Sequence, residues 1–283
     1  MSIITLTTDY GVKDYFAAAL KGSLMSKNNQ AQIVDVSHRV SPFQIQEAAY
    51  ILSNAFATFP KGSVHIIDVD SYETPEKTHK VIFAKGHYFI ACDNGIFSLM
   101  FDPDEVEEVY ELTFTKTAVD YEKIFPAISV FSAAAAHISG KGPLSIIGRK
   151  VDSFFKTHEL ENRIMYSGTQ LRTYVIYIDR FGNVIFGLKK NEFTSHANGR
   201  PFVMKSFKKG TEDILLEKNK SIKTKITKIH KHYSEVSEGS VVALFNTAEH
   251  LELAINRHDA NSVGGAALIL GLKYGDYIQI EFS

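Results

Sequence analysis

Apolar and polar positions fall into blocks along this chain, and the period of the blocks changes near its middle. Ile3-Ile4-Thr5-Leu6 is followed by Thr7-Thr8-Asp9-Tyr10-Gly11. An apolar run closed by polar groups and a turn glycine predicts a strand that enters the core at once. Residues 14–22 then read as a helix. Ile33-Val34-Asp35-Val36-Ser37 is a second short strand, and Ser41-Pro42-Phe43 leads into helical apolar spacing over 44–52. Pro42 suits a helix start. The β-branched run within 63–70 predicts a strand buried on both faces, as in parallel sheets. Residues 81–84 and 87–91 flank Lys85-Gly86 and read as a hairpin. Residues 129–139, with four consecutive alanines, form a close-packing helix stopped by Gly140-Lys141-Gly142-Pro143.

Beyond residue 150 the texture changes. Residues 152–168 read as a connecting stretch. The segments 173–178, 223–229, 240–245 and 277–282 are short and strand-like, several with period-2 alternation, and helix signals are few. The predicted fold class is α/β: an N-terminal α/β domain over 1–152 with a largely parallel central sheet that includes mixed strands, and a C-terminal β-rich domain over 170–283, sandwich or barrel-like.

Composition narrows the function classes. The 31 basic and 32 acidic residues of 283 leave a net charge of -1, which gives no reason to expect a nucleic-acid or anionic-membrane partner. The lysine-rich stretch 205–225 is interrupted by Glu212, Asp213 and Glu217 and reads as a solvated face. A single cysteine, Cys92, excludes an intramolecular disulfide and any cysteine-rich metal site. With no charged leader and no bilayer-length apolar run, a soluble cytoplasmic protein is expected.

Candidate chemistry sits where strands end. In open α/β sheets, ligands bind beyond the carboxyl ends of the strands. Asp9 lies at such an end; its carboxylate either accepts hydrogen bonds from a vicinal diol such as a ribose, or simply makes the turn. Asp70, Cys92-Asp93-Asn94-Gly95, Asp179-Arg180-Phe181-Gly182-Asn183 and Asn246-Thr247-Ala248-Glu249-His250 follow other strands. Each is compatible with ordinary turn chemistry as well as with a ligand. His38 reads as a structural histidine. There is no Gly-x-Gly-x-x-Gly, no phosphate loop, no Gly-x-Ser-x-Gly elbow and no His-Glu-x-x-His, and the 11 histidines show no metal-ligand spacing.

Taken in order, these clusters resemble the S-adenosyl-L-methionine (SAM) hydroxide adenosyltransferases, or SAM hydrolases, relatives of the fluorinase and chlorinase. Thr8-Asp9-Tyr10-Gly11 matches the family's Thr-Asp-Phe-Gly, and Lys21-Gly22 its Lys-Gly. Residues 33–38 with Pro42-Phe43, Cys92-Asp93-Asn94-Gly95, residues 179–183 and residues 251–256 match further motifs, so the resemblance covers nearly the whole chain. It implies an α/β domain followed by a β-barrel, and a homotrimer whose sites lie between the N-terminal domain of one subunit and the C-terminal domain of the next. The ligand implied is a small nucleoside-bearing molecule, with SAM as substrate and no separate cofactor or metal. Asp9 is expected to hold the ribose diol, Asp179 to face the methionine ammonium, and Phe181 and Asn183 to frame the adenine.

The reaction implied is displacement at the ribose 5′ carbon by water, giving adenosine and L-methionine. The family positions that water with an Asp, an Arg and a His. Asp70 matches the Asp and Lys77 falls on the Arg. The His falls on Pro126, which has no proton chemistry. His79, in a polar loop, is expected to face solvent and to substitute only if that loop folds inward. Three readings follow: a divergent SAM hydrolase using Asp70 with Lys77 or His79, a member that binds SAM or adenosine without turnover, and an enzyme acting on another small substrate in the same cleft.

Overall fold

The computed structural model describes residues 2–113, 125–157, 164–207, 225–257 and 265–283. The chain divides into two compact units, Met1–Thr157 and His158–Ser283.

In the first unit the order is β1 (Ile3–Thr8), α1 (Phe16–Lys27), β2 (Gln32–Ser37), α2 (Ile45–Ser53), β3 (Val64–Asp68), β4 (His79–Ala84), β5 (His87–Cys92), α3 (Ile96–Met100), β6 (Val106–Leu112), α4 (Ser132–Ser139), α5 (Leu144–Ile147) and β7 (Gly148–Val151). The sheet order is β2-β1-β3-β5-β4-β6-β7. Strands β2, β1, β3 and β5 run parallel, and β4, β6 and β7 extend the sheet antiparallel. Lys85 (φ 52°) and Gly86 (φ 81°) make the β4–β5 hairpin, since two successive positive φ values suit the twist of the strands.

Both faces of this sheet are covered. Ile4, Leu6, Val64, Ile66 and Ile90 pack with Leu20 and Leu24 of α1 and with Ala134, Ala135 and Ile138 of α4. Ile67, Val69, Phe89 and Ala91 pack with Ala48, Ala49 and Leu52 of α2 and with Ile96 and Phe97 of α3. The period-2 alternation of β3 thus feeds two cores. Replacing the fully buried Leu52 by alanine would cost about 2–5 kcal/mol.

Helix α2 starts at Ile45, three residues after Pro42, so Pro42 does not open it. Phe43, at φ 64°, interrupts the helical path between them. Helix α4 is preceded by a π-helical turn, Ala127–Phe131.

The second unit contains β8 (Ile164–Ser167), β9 (Gln170–Ile178), β10 (Val184–Lys189), α6 (Lys190–Ala197), β11 (Phe202–Phe207), β12 (Val241–Phe245), β13 (His250–Ile255), α7 (Ala266–Ile269) and β14 (Tyr277–Phe282). Its strands form a curled antiparallel sheet, β11-β14-β9-β10-β13-β12, with β8 paired to β9. Single bridges from Met204 to Ile226 and from Leu244 to His230 tie the edge strands β11 and β12 to one connecting segment. The described part of the expected strand 223–229 is therefore a bridging segment and not a strand; Lys223 and Thr224 lie outside the described residues, as does 208–224 of the lysine-rich stretch. The expected connector 152–168 supplies β8, because residues 164–167 pair with 170–173 across a tight turn. Helix α6 escapes the strand pattern: the Glu192 carboxylate accepts the Lys189 N–H at its start.

Candidate functional site

In the first unit the chain passes from β1 to β2 on one side and then returns to β3 on the other, so the strand order reverses at β1. Thr8 of β1 is level with Asp68 of β3, and Thr7 with Ser37 of β2. Three strand ends therefore open at one topological switch point, where α/β sheets bind ligands.

Asp9 follows β1 at this point and is half-buried. Its Oδ2 accepts the Phe43 N–H at 2.9 Å. Burial pushes its carboxyl above the usual aspartate range, the Phe43 N–H opposes this, and the nearby Asp70 carboxylate adds to the push. Asp9 thus fixes the β2–α2 loop while sharing the site with a second carboxylate.

Asp70 stands at φ 50°, just past β3. Asn94 holds it there: its Nδ2 donates to the Val69 carbonyl at 3.0 Å and to the Asp70 carbonyl at 2.9 Å. Lys77 Nζ lies 3.9 Å from Asp70 Oδ2, with both side chains nearly half exposed. The two residues matched to the family's water-positioning Asp and Arg are thus brought together. A lysine offers a point charge where arginine offers a planar fork.

Three features of this site are invisible to sequence spacing. Asp68, the last residue of β3, is buried, and the Tyr10 hydroxyl donates to its Oδ2. Burial raises the Asp68 carboxyl, while the hydroxyls of Tyr10 and Ser71 and the His79 ring hold it down. Burial and the Asp68 charge together push the Tyr10 phenol well above its ordinary range. His79 corrects an expectation. It does not face solvent but is 1% exposed. It opens β4 opposite Cys92, packs edge-on against Phe131 at 4.9 Å, and its Nε2 lies 2.9 Å from the Ser71 carbonyl oxygen. Its Nδ1 is buried without a hydrogen-bond partner among the described residues. Pro126 precedes the π-helical turn; Ile124, in the same matched segment, lies outside the described residues.

The other clusters divide into scaffold and open positions. His38 is structural, as expected: its Nδ1 lies 2.8 Å from Thr8 Oγ1 and its Nε2 3.1 Å from Asp35 Oδ1. Lys21 pairs with the other Asp35 oxygen at 2.6 Å. Asp93 is buried, accepting from Lys80 at 2.6 Å and from the Phe155 N–H. Burial pushes the Cys92 thiol up to about 12, with the Asp93 carboxylate adding to it. A thiol so protonated is no nucleophile. Among the described residues no group of three or more His, Cys, Asp or Glu side chains is placed to hold a metal ion.

In the second unit, residues 179–183 form the β9–β10 turn. Asp179 Oδ1 accepts the Phe181 and Asn183 N–H groups at 2.8 and 2.9 Å, and its Oδ2 accepts Asn183 Nδ2 at 3.0 Å. Most of this carboxylate's acceptor capacity is spent on its own loop. Phe181 is a large aromatic that is 67% exposed. Gly182 has φ 74°, and a Cβ there would lie 2.8 Å from the Gly265 Cα, so this turn requires glycine. Beside it, Glu252 accepts the Tyr233 hydroxyl at 2.7 Å. Burial raises its carboxyl, hydrogen bonds from Tyr233 and Asn246 oppose this, and the Asp179 charge adds to the rise. Asn246 also turns the β12–β13 hairpin, accepting from the Ala248 and His250 N–H groups.

A doubly covered α/β sheet with carboxylates at its switch point, followed by a curled antiparallel β-unit, defines an α/β protein built to hold a small polar ligand. Residues 4–148 match the SAM hydroxide adenosyltransferase N-terminal domain and residues 173–279 the corresponding C-terminal domain. The chain belongs to the SAM hydroxide adenosyltransferase family. It is 29% identical, over its whole length and 97% of the relative's, to the (R)-S-adenosyl-L-methionine hydrolase of Methanocaldococcus jannaschii. It is 27% identical to the protein of the same name from Thermus thermophilus, covering 99% of this chain and all of that one. A fluorinase from Nocardia brasiliensis matches at 24% identity over 64% of this chain and 69% of its own. The fold recurs in the crystal structure of an uncharacterized conserved protein from Thermotoga maritima, at a TM-score of 0.79, 24% identity and 99% coverage of both chains.

Proposed function

We propose that this protein hydrolyses SAM to adenosine and L-methionine by displacement at the ribose 5′ carbon. The observation that carries the proposal is the pairing of Asp70 with Lys77 beside Asp9 at the β1/β3 switch point. The family membership and the names of the two full-length relatives point the same way. The sulfonium of SAM is an activated leaving group: the C–S bond breaks toward sulfur, and methionine departs as a neutral thioether. The protein must orient one water in line with that bond and ease removal of its proton. In this reading Asp9 accepts the ribose hydroxyls through the lone pairs left by the Phe43 N–H. Asp70 orients the water, and Lys77 steadies Asp70. Phe181 offers a face to the adenine, while Asn183 and Asp179 complete the nucleoside and methionine contacts. No separate cofactor is needed.

Assembly and location extend the same reading: a cytoplasmic homotrimer in which Asp9 of one subunit and residues 179–183 of a neighbour serve one ligand. No helix among the described residues is long and apolar enough to cross a membrane. Sedimentation of the purified protein at the mass of a monomer, with adenosine bound, would remove the trimer from the proposal.

A second reading, binding without turnover, is favoured by one observation: Pro126 stands where the family carries histidine. Adenosine release from SAM by the wild type, Asp70→Asn and Lys77→Ala separates the two. Hydrolysis predicts release by the wild type and a fall of ~10²–10³-fold in Asp70→Asn, the scale of a lost transition-state interaction. Tight adenosine binding with no release by the wild type would establish the second reading. Full release by both variants would place the chemistry elsewhere.

A further inference from the structure

Hydrolysis at the 5′ carbon sets free one proton from the attacking water, and the Asp70–Lys77 pair is poorly equipped to take it. Lys77 is a cation, and the Asp70 carboxylate faces it across 3.9 Å. A second pair stands at the same switch point. Asp68 ends β3 level with Thr8, two residues before Asp70, and is buried at 5% exposure. A buried carboxylate is costly unless it is hydrogen-bonded, and this one is bonded to the Tyr10 hydroxyl. Tyr10 follows Asp9 directly, so the hydroxyl that reaches Asp68 comes from the residue next to the expected diol-binding carboxylate.

We propose that the Tyr10–Asp68 pair is the proton relay of this site: the Tyr10 hydroxyl takes the proton of the attacking water as it hands its own to Asp68. The inference rests on the proposed hydrolysis. One O–C5′ bond forms and the C5′–S bond breaks, its electron pair passing to sulfur. One proton moves from water to Tyr10 while another moves from Tyr10 to the Asp68 carboxylate, which later returns it to solvent. Tyr10 stays neutral throughout, in keeping with a phenol whose surroundings strongly oppose its ionisation. Asp68 acts through Tyr10 and is a positioning residue.

The geometry holds the relay in place. The Tyr10 ring lies 5.7 Å from the Phe16 ring and meets Phe125 edge-on at 6.4 Å. Phe125 immediately precedes Pro126, so the segment that lacks histidine packs directly on the tyrosine that would replace it. The ionisable groups facing Asp68 are Asp9 and Tyr10 from the end of β1 and His79 from the start of β4. The His79 Nε2 lies 2.9 Å from the Ser71 carbonyl oxygen, and its Nδ1 is buried with no hydrogen-bond partner among the described residues. Burial raises the Asp68 carboxyl, which makes it a stronger proton acceptor than an exposed aspartate.

The test is steady-state adenosine release from SAM by the full-length wild type, Tyr10→Phe and Asp68→Asn between about pH 5 and 9, with adenosine affinity measured alongside. Tyr10→Phe keeps the packed ring and removes only the hydroxyl, so it carries the test if Asp68→Asn fails to fold. The relay predicts a fall in kcat of ~10²-fold or more in Tyr10→Phe, with KM and adenosine affinity nearly unchanged. It also predicts that the acid-side fall of kcat in the wild type disappears in the variants. Wild-type kcat and an unchanged pH profile in Tyr10→Phe would overturn the relay and leave hydrolysis standing. A raised KM at unchanged kcat would overturn it equally, making the pair a binding element. A wild type that releases no adenosine would overturn both proposals.

Discussion

Acid should weaken this fold through buried histidines, and replacing one of them, His65, should remove its share of the effect. Thr5 of β1, His65 of β3 and His87 of β5 form a polar chain across three neighbouring strands. Thr5 Oγ1 lies 2.7 Å from His65 Nδ1, and His65 Nε2 lies 3.2 Å from His87 Nδ1. The His65 ring is fully buried, stacked on Phe89 at 4.8 Å and edged by Phe56. Burial, and then the neighbouring His87, lowers its pKa to about 3. In the unfolded chain the ring titrates near 6.5. Between those values the unfolded chain binds the extra proton, so stability is complete above about 6.5 and is lost as the pH falls. At ~1.36 kcal/mol per unit, His65 alone withdraws about 2 kcal/mol at roughly pH 5 and about 4 kcal/mol near pH 3. Urea unfolding of wild type and His65→Gln at about pH 7.5 and 5 measures this. His87, also lowered by burial, acts in the same sense and the raised carboxyls of Asp9, Asp68 and Glu252 in the opposite one; all are common to both proteins. The wild type should therefore lose about 2 kcal/mol more than the variant between the two pH values. Equal losses would refute the assignment of a neutral, buried His65.

Further outcomes follow from the site. Asp9→Ala should weaken adenosine binding by about 1.5–3 kcal/mol, the range for hydrogen bonds to a charged group, and calorimetry on the folded variant would read it. Because the Asp9 carboxyl is raised, wild-type affinity should begin to fall at a higher pH than an ordinary aspartate would give; identical pH profiles for wild type and Asp9→Asn would contradict this. Asn94→Ala strips the bonds that hold Val69 and Asp70. It should cost about 1–3 kcal/mol of stability and depress adenosine release beyond that of a surface control, as thermal melts and rate assays would record. Gly182→Ala drives a Cβ into Gly265 at φ 74° and should destabilise the protein by more than ~1 kcal/mol; an unchanged unfolding curve would count against the tight turn.

Much of the first unit was legible because β1 and β3 are buried on both faces and end abruptly in polar turn residues. Ile4 and Leu6, then Thr8-Asp9, mark β1 and its carboxyl end, and Ile66-Ile67, then Asp70, mark β3. What escaped depends on contacts between distant segments. Tyr10 and Asp68 are 58 residues apart, and only the parallel register of β1 with β3 brings them together. His79 sits in a polar stretch, yet antiparallel pairing with Cys92 carries it into the core. Phe43 adopts a positive φ that no local pattern marks, and the Asp9 bond to its N–H secures that loop. In the second unit the alternation of β9 and β14 was plain. Ile226, between Lys225 and Thr227, lies in a similar pattern but among the described residues makes an isolated bridge to Met204 and no strand. Asp179, read as a ligand contact, has both carboxylate oxygens engaged by the turn it closes.

Hydrolysis at the 5′ carbon stands or falls on the origin of one oxygen atom. Purified protein incubated with SAM in ¹⁸O-enriched water, with the products resolved by mass spectrometry, tests it directly. Attack of water on the 5′ carbon predicts adenosine and methionine in equal amounts, with a single ¹⁸O on the adenosine 5′-hydroxyl and none introduced into methionine. Absence of adenosine, or adenosine carrying no label, would contradict hydrolysis at the 5′ carbon.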